Sequence, residues 1–344
     1  MENLRILKEV PKYCEKTEKL GIWEVYNNTP TQGHYRFKLD NNKGDICNMF
    51  LETYITFTTE PESVPDGKYF GLQIHKRIRL RTDNTILETL TPLYMYGMVD
   101  DLVGTKAYTR IFNSVGNVVV PADLPAVVPI KIPLMFFFNR KNPLDMKGRP
   151  PMYIEIEEAG SNTSMGTNSV ISNITYKLDV RYMQYESLVT SPPRELVIPN
   201  IFEEIPVIVS AESTQASMLL KCPFKVFHIY AQLRSNLQNY SLKNIKRAVI
   251  SCPTSTLYDL DYEANYICGD PDDVDGYNES STFSIKLKDR DGTDFIRFND
   301  EMYPSYLTIY FDSSIVADFT FSVVCEYRNE INKNTILVNT GNYT

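Results

Sequence analysis

Residues 132–157 read IPLMFFFNRKNPLDMKGRPPMYIEIE, which joins an aromatic run, a polar break with three prolines and an alternating segment. From Met152 to Glu157 apolar residues recur at every second position, the pattern of a β-strand. The run from Leu134 to Phe138 is apolar at every position, which predicts a strand covered on two sides. Asn139 to Pro151 is predicted to be a loop. The stretch therefore favours a β-protein with packed sheets.

Two more segments of the first half alternate in the same way. Their apolar faces are Met49, Leu51, Ile55 and Phe57 in the first and Tyr176, Leu178, Val180 and Tyr182 in the second. Residues 85–104 have helix-like spacing in part, which predicts a short helical excursion. The residues before the aromatic run include prolines at 121, 125, 129 and 133, which restrict that segment to a loop or an edge strand.

The densest basic stretch is HKRIRLR, residues 75–81. Leu72, Ile74, Ile78 and Leu80 alternate with its charged residues, so we predict a strand with a solvated outer face rather than a phosphate groove. The net charge of −8 also argues against a dedicated nucleic-acid binder, because such binding needs clustered Lys and Arg.

A second set of strand patterns follows a proline-rich segment at residues 187–200, where we place a domain boundary. Pro192, Pro193 and Pro199 cannot sit in a central strand. In the last pattern of this half Phe319, Phe321, Val323 and Cys325 line one face; the other patterns cover residues 216–235, 245–252, 281–288 and 305–314. No segment of this half predicts a helix of several turns.

These patterns predict an all-β chain with two consecutive eight-stranded antiparallel jelly-roll sandwiches, which limit exposed sheet edges by closing strands into facing sheets. The first jelly roll is placed at residues 41–190 and the second at 191–344. Residues 1–40, with the single tryptophan Trp23, are interpreted as a short helix or arm that reaches a neighbouring chain.

The composition agrees with a folded protein made in a reducing compartment. The chain has 344 residues, 43% of them hydrophobic. Its N-terminus lacks the apolar core of a secretion signal, and no run is long enough to span a membrane. The six cysteines form no CxxC pair, so we expect buried free thiols; they are Cys14, Cys47, Cys222, Cys252, Cys268 and Cys325.

We predict no catalytic residue, cofactor site or metal site. His75 and His228 lie in strand patterns typical of partly buried structural imidazoles, and His34 is the third histidine. The acidic residues at 270–275 resemble a calcium loop, but Pro271 and Thr282 stand where that loop needs its first and last carboxylates. A solvated acidic loop is therefore preferred, with an adventitious cation as the alternative. A glycosidase could take its two catalytic carboxylates from Glu155, Glu157 and Glu158, but we favour a polar, outward-facing side of a strand.

Several stretches resemble the double jelly-roll major capsid proteins of large eukaryotic DNA viruses, polinton-like viruses and virophages. The resemblance covers residues 40–330 through short, degenerate motifs: Lys43-Gly44-Asp45-Ile46, IPLMFFFNR with PPMYIEIE, KLDVRYMQYE with LVTSPPRELVI, and LLKCPFKVFHIYAQ. The chain departs from the family at Cys222, where His is common, and in lacking first-barrel tryptophans. It is also shorter than the giant-virus proteins.

The resemblance implies a structural protein rather than an enzyme. It implies a homotrimer whose six lobes tile an icosahedral shell, with neighbouring capsomers and minor capsid or penton proteins as partners, and a place in the virion after synthesis inside the host cell. Residues 1–40, 85–104 and 121–133 are then expected at contacts, and residues 160–169 and 268–281 on the outside. A specific nucleic-acid partner is not expected.

One alternative remains from the residues themselves. Tandem β-sandwiches also form carbohydrate-binding or adhesive modules, in which exposed tyrosines stack on sugars. Tyr153 and Tyr182 lie inside strand patterns, which favours core or inter-barrel packing over sugar binding. An enzyme is a third option and would require a cleft with paired carboxylates.

Overall fold

The structure is a computed structural model that describes residues 13–29, 32–57, 72, 74–95, 97–98, 125–140, 143–146, 149–159, 171–185, 196–234, 245–253, 255–261, 282–287, 296–298, 304–312, 314–315, 318–331 and 337–339. Most of these residues form β-strands, and every strand pair among them is antiparallel. The predicted all-β class is confirmed.

Nine strands form two sheets in the first half. In chain order they are β1 (Tyr13–Leu20), β2 (Glu24–Thr29), β3 (Gln32–Lys38), β4 (Asp45–Phe57), β5 (His75–Thr82), β6 (Ile86–Leu90), β7 (Ala126–Pro133), β8 (Met152–Glu158) and β9 (Ile171–Tyr185). The sheet orders are β1-β9-β4-β7 and β2-β3-β8-β5-β6. Within the described residues, neither sheet contains a strand from beyond residue 190.

Twelve strands of the described residues belong to the second half. They are β10 (Leu196–Glu203), β11 (Val207–Val209), β12 (Gln215–Leu220), β13 (Lys225–Val226), β14 (His228–Arg234), β15 (Ile245–Cys252), β16 (Ser255–Asp261), β17 (Thr282–Lys286), β18 (Ile296–Arg297), β19 (Ser305–Phe311), β20 (Phe319–Ile331) and β21 (Leu337–Asn339). The main sheets run β10-β20-β14-β17 and β12-β19-β15-β16, while β13 pairs with β18 and the short β11 and β21 pair with β20.

Both halves share one strand order. When the eight principal strands of each half are numbered along the chain, without β2 and the short β11, β13, β18 and β21, one sheet reads 1-8-3-6 and the other 2-7-4-5. This order, in which the first strand lies beside the last, is that of the jelly roll. Two consecutive jelly rolls are therefore present, although no sequence identity between the halves is visible.

Each half buries its own alternating faces. In the first half Met49, Leu51, Ile55 and Phe57 of β4 pack with the predicted face of β9, and all are buried. In the second half the predicted face of β20 is buried in a separate cluster with β14 and β19. The alternation of apolar residues predicts the buried faces correctly, because one face of each sheet meets the core and the other meets the outside.

The interpretation of residues 1–40 as a helix or arm is wrong for the described residues 13–29 and 32–40. β1 is paired along its whole length with β9, from Tyr13 opposite Tyr185 to Leu20 opposite Leu178. β3 lies between β2 and β8 in the other sheet. The sequence pattern did not reveal β1, because its residues are polar and an edge strand that is exposed on both faces shows no apolar alternation.

The predicted strand at Leu134–Phe138 is also wrong. β7 ends at Pro133, and Phe137–Arg140 forms a four-residue helix. Its first N–H, on Phe137, donates to a carboxylate oxygen of the buried Glu88 at 2.8 Å. Phe136 and Phe138 are both buried, with ring centroids 5.8 Å apart. A continuous apolar run carries no period, so it fits a buried turn as well as a strand.

The prolines before the aromatic run behave as predicted where they are described. Pro129 and Pro133 lie in β7, which among the described strands is the outermost of its sheet and pairs only with β4. In the 85–104 segment, residues 86–90 are the strand β6 and residues 92–95 and 97–98 are helical. The predicted helical excursion is thus confirmed for its middle part and wrong for its start.

Candidate assembly surfaces

The basic residues of β5 form an ion-pair ladder with β8. Arg79 lies opposite Glu155 in the strand register, and its guanidinium is 3.1 Å from that carboxylate. Arg81 also reaches Glu155, at 2.7 Å, and Lys76 reaches Glu157, at 2.7 Å. The alternating strand is confirmed, but its outer face is half-buried and paired rather than solvated.

Glu155 is the centre of this ladder and only 2% exposed. His34 contributes its Nε2 at 3.0 Å and Arg36 a guanidinium nitrogen at 3.6 Å. Burial opposes ionisation of Glu155, but hydrogen bonds from Arg81 and His34 outweigh it and lower its pKa to about 2. A carboxylate held ionised by several cations is unsuited to act as a general acid, so the arrangement is structural.

Glu158 points to the opposite face of β8, away from Glu155 and Glu157. It accepts hydrogen bonds from the Gly33 N–H at 2.6 Å and from the Tyr176 hydroxyl at 2.7 Å. Burial raises the pKa of Glu158, and these donors only partly offset that effect. The structure therefore does not bring the three glutamates together as a catalytic pair.

The outer face of the other first-half sheet carries a second ion cluster. Lys19 of β1 and Lys131 of β7 both contact Glu52 of β4, at 3.1 and 3.2 Å. Asp179 of β9 lies between them and pairs with Lys131. Burial opposes ionisation of Glu52, but Lys19, Tyr54 and Lys131 lower its pKa to about 2. The cluster ties four neighbouring strands together across their outer face.

Aromatic and cationic side chains alternate where β2 lies beside β3. Trp23 stacks on Tyr153 with ring centroids 5.4 Å apart, and Lys38 lies over the indole at 5.5 Å. The guanidinium of Arg36 sits 4.4 Å from the ring centroid of Tyr26. Trp23 is 52% exposed and Tyr26 44%. This is the largest exposed aromatic group in the described part of the first half.

The two jelly rolls meet through the helical segment that follows β6. Tyr94 packs edge-on against Tyr230 of β14, with centroids 5.4 Å apart. Both hydroxyls donate to Glu326 of β20, at 3.2 and 3.3 Å. A Cβ added to Gly97 would overlap the ring of Tyr230. The helical segment therefore approaches β14 this closely only because residue 97 is a glycine.

The edge strands β6 and β10 complete this joint. The Thr89 N–H of β6 donates to the side-chain oxygen of Asn200 in β10 at 3.2 Å. Arg77 donates to Glu203 at 2.7 Å. Ile198 and Ile201 of β10 belong to the hydrophobic cluster of the first half. The resemblance implies that residues 85–104 lie at contacts between chains. The described part of this segment instead contacts the other half of the same chain, more than a hundred residues away.

The predicted histidine and cysteine environments are partly confirmed. His75 is buried and His228 half-buried. Cys222 and Cys325 are buried free thiols, whereas Cys14 is exposed because the edge strand β1 carries it. Cys268, the acidic residues at 270–275 and the loop at 160–169 lie outside the described residues. Tyr153 and Tyr182 are both buried, but only Tyr182 lies in the hydrophobic core. Tyr153 lies on the outer face of β8, where Trp23 stacks on it.

The described residues contain no group of three or more His, Cys, Asp or Glu side chains arranged to hold a metal ion. None of their helices combines the length and the apolar character needed to cross a membrane.

No protein-family model and no curated protein sequence matches the chain. Solved structures do match it, and they share the double jelly-roll fold. The alignment with a quasi-atomic structure of the PBCV-1 virus capsid covers 98% of this chain and 98% of the capsid chain, with a TM-score of 0.70 and 9% identity. The Faustovirus major capsid protein covers 94% of this chain and 91% of its own, with a TM-score of 0.60 and 9% identity.

A third solved structure gives a similar result. The crystal structure of the mavirus major capsid protein covers 95% of this chain and 90% of its own, with a TM-score of 0.58 and 8% identity. At these identities the similarity establishes the fold. The chain is therefore a double jelly-roll protein, and the three solved structures named above come from a virus capsid and two major capsid proteins.

Proposed function

We propose that the chain is a major capsid protein that trimerises into pseudo-hexagonal capsomers of an icosahedral double-stranded DNA virus. The observation that carries this proposal is the tandem repeat of one strand order, 1-8-3-6 with 2-7-4-5, in the described strands of both halves. Three chains with two such lobes give six similar lobes around a ring, which suits a hexagonal lattice. The proposal involves no catalytic step.

The joint between the halves supports this role. A capsomer needs lobes held at a fixed angle, and the Tyr94–Tyr230–Glu326 contact with the Asn200 hydrogen bond provides partly buried connections between them. We place the division between the jelly rolls near residue 190, between β9 and β10. Neighbouring capsomers and minor capsid or penton proteins would be the partners, and the virion would be the location.

Light scattering on the purified chain tests the proposal directly. We expect a stable species of three chains, and negative-stain microscopy should show six-lobed particles. A monomer at all concentrations, without such particles, would contradict the proposed capsid role.

The exposed Trp23 and Tyr26 favour a second candidate, a carbohydrate-binding module. Aromatic rings held on a rigid sheet and flanked by Arg36 and Glu24 are suited to stacking on sugars and bonding their hydroxyls. A glycan array would support this candidate if the chain bound a sugar and the Trp23→Ala variant did not. Trimer formation without glycan binding would favour the capsid role.

A further inference from the structure

We propose that Cys222 and Cys325 are a modification site, at which a small-molecule disulfide oxidises the two buried thiols to a disulfide that ties together the two sheets of the second jelly roll. The inference goes beyond the capsid role and does not depend on it. It concerns the second half alone, where both cysteines belong to one hydrophobic cluster.

The two cysteines meet from opposite sheets of the sandwich. Cys325 lies in the middle of β20, opposite Phe202 of β10 and Ile229 of β14. Cys222 lies two residues after the end of β12, which belongs to the facing sheet. Both residues are free thiols and 0% exposed. A bond between their sulfurs would therefore cross the sandwich from one sheet to the other.

Glu204, which is itself buried, holds the pair in place. Its Oε1 accepts hydrogen bonds from the N–H groups of Lys221 and Cys222, at 2.7 and 2.9 Å. The same oxygen accepts the thiol of Cys325 at 3.8 Å. The two thiols are also hydrogen-bonded to each other. Thiols already in contact need only a small shift to reach the S–S bond length of about 2.05 Å.

Burial protects both thiols but leaves Cys222 close to the surface. Its neighbours Lys221 and Pro223 are exposed, and residues 221–224 connect β12 to β13 without belonging to a strand. A short connection of this kind can open locally while the sandwich stays folded. The hydrogen bond with Cys222 and burial both raise the pKa of the Cys325 thiol well above its ordinary value, so the pair stays reduced until such an opening occurs.

The reaction balances as two successive thiol–disulfide exchanges. The Cys222 thiolate attacks one sulfur of the small disulfide, which breaks the S–S bond of that molecule and releases one thiolate. The Cys325 thiolate then attacks the sulfur of Cys222 and releases the second. The two cysteines are oxidised, and the small disulfide is reduced to two thiols. Those thiols take up the two protons that the cysteines lose.

The product should be the more heat-resistant form of the second half. The new bond would close a loop of about a hundred residues between positions 222 and 325. Closing so long a loop restricts the unfolded chain and thereby favours the folded one. We expect the midpoint of thermal unfolding of the second half to rise by about 5–10 °C.

Oxidised glutathione tests the inference on the full chain. The reduced protein is incubated with it in a mildly alkaline buffer, the remaining thiols are blocked with N-ethylmaleimide in denaturant, and unreduced peptides are identified by mass. We expect a peptide pair that joins residues 222 and 325 and lacks the two thiol hydrogens. We also expect a raised thermal midpoint that dithiothreitol returns to its lower value.

Three variants serve as controls. Cys222→Ala and Cys325→Ala should each abolish the linked peptide and the rise of the midpoint, whereas Cys252→Ala, which removes a half-buried thiol outside the pair, should keep both. Each rise is measured against the same variant in its reduced form, so a loss of stability from the substitution itself does not affect the comparison.

Two results would overturn the inference. In the first, residues 222 and 325 of the folded wild-type chain end up labelled with maleimide or joined to glutathione rather than to each other. In the second, the linked peptide forms but the midpoint stays the same. Neither result bears on the capsid role, which light scattering tests through the number of chains in the assembled species.

Discussion

Gly44 occupies the turn before β4 with a φ of +117°, a conformation that side chains rarely adopt. A Cβ there would also overlap the backbone oxygen of Met183 in β9. We expect Gly44→Ala to lower the free energy of unfolding by about 1–3 kcal/mol, because it combines backbone strain with a steric clash. Urea denaturation measures this loss. Gly21→Ala is the matched control, since a Cβ at Gly21 meets no atom within 4 Å.

Acid sensitivity should depend on Glu155. The pKa of its folded-state carboxyl, about 2, lies below the ordinary value of 4.5. Ionised Glu155 therefore stabilises the folded state above about pH 4.5, and this contribution disappears as the pH falls towards 2. Glu155→Gln should flatten the decline of stability over that range. It should also reduce stability at neutral pH, because Arg81 loses its carboxylate partner and Arg79 keeps only Glu157.

Denaturation midpoints measured between pH 2 and 7 test this expectation, with the exposed Glu15→Gln as control. An unchanged pH profile in Glu155→Gln would show that other carboxylates, such as Glu52, dominate acid unfolding.

Among the strands, alternation was enough to predict β4, β8, β9 and β20, because each has one apolar face directed into a core. It did not reveal β1, whose residues are polar and exposed, or the helix at Phe137, where the apolar run carries no period. The ion pairs of β5 could not be predicted either. Arg81 and Glu155 are 74 residues apart, and their contact depends on strand register that only the folded sheet reveals.

The helical segment after β6 should couple the two jelly rolls. We expect the wild-type chain to unfold in one transition, since Tyr94, Gly97 and Tyr230 pack the halves together. Gly97→Ala places a methyl group against the Tyr230 ring and should cost about 1–3 kcal/mol, the usual range for overpacking. Calorimetry should then resolve two transitions. A single transition in Gly97→Ala would mean that the Asn200 and Arg77 contacts are sufficient for coupling.

At the scale of the whole molecule, deleting residues 1–40 tests whether they are an arm or an integral part of the first jelly roll. A deletion of residues 1–40 removes β1, β2 and β3, and thereby strands from both sheets of the first jelly roll. We expect this variant to lose the folded first half, because β9 and β8 would each lose a paired strand and their core would open. Circular dichroism and limited proteolysis would check this, and a stably folded, protease-resistant variant would restore the arm interpretation.

β1 lies beside β9, and β10 lies beside β20. The polypeptide therefore enters and leaves each sandwich through two neighbouring strands on the same side. Joining a second sandwich to the first thus requires no threading and no change to the interior of either. Duplication of one coding sequence would give such a molecule in one step, and each copy would then be able to change its residues as long as its alternating buried faces were kept.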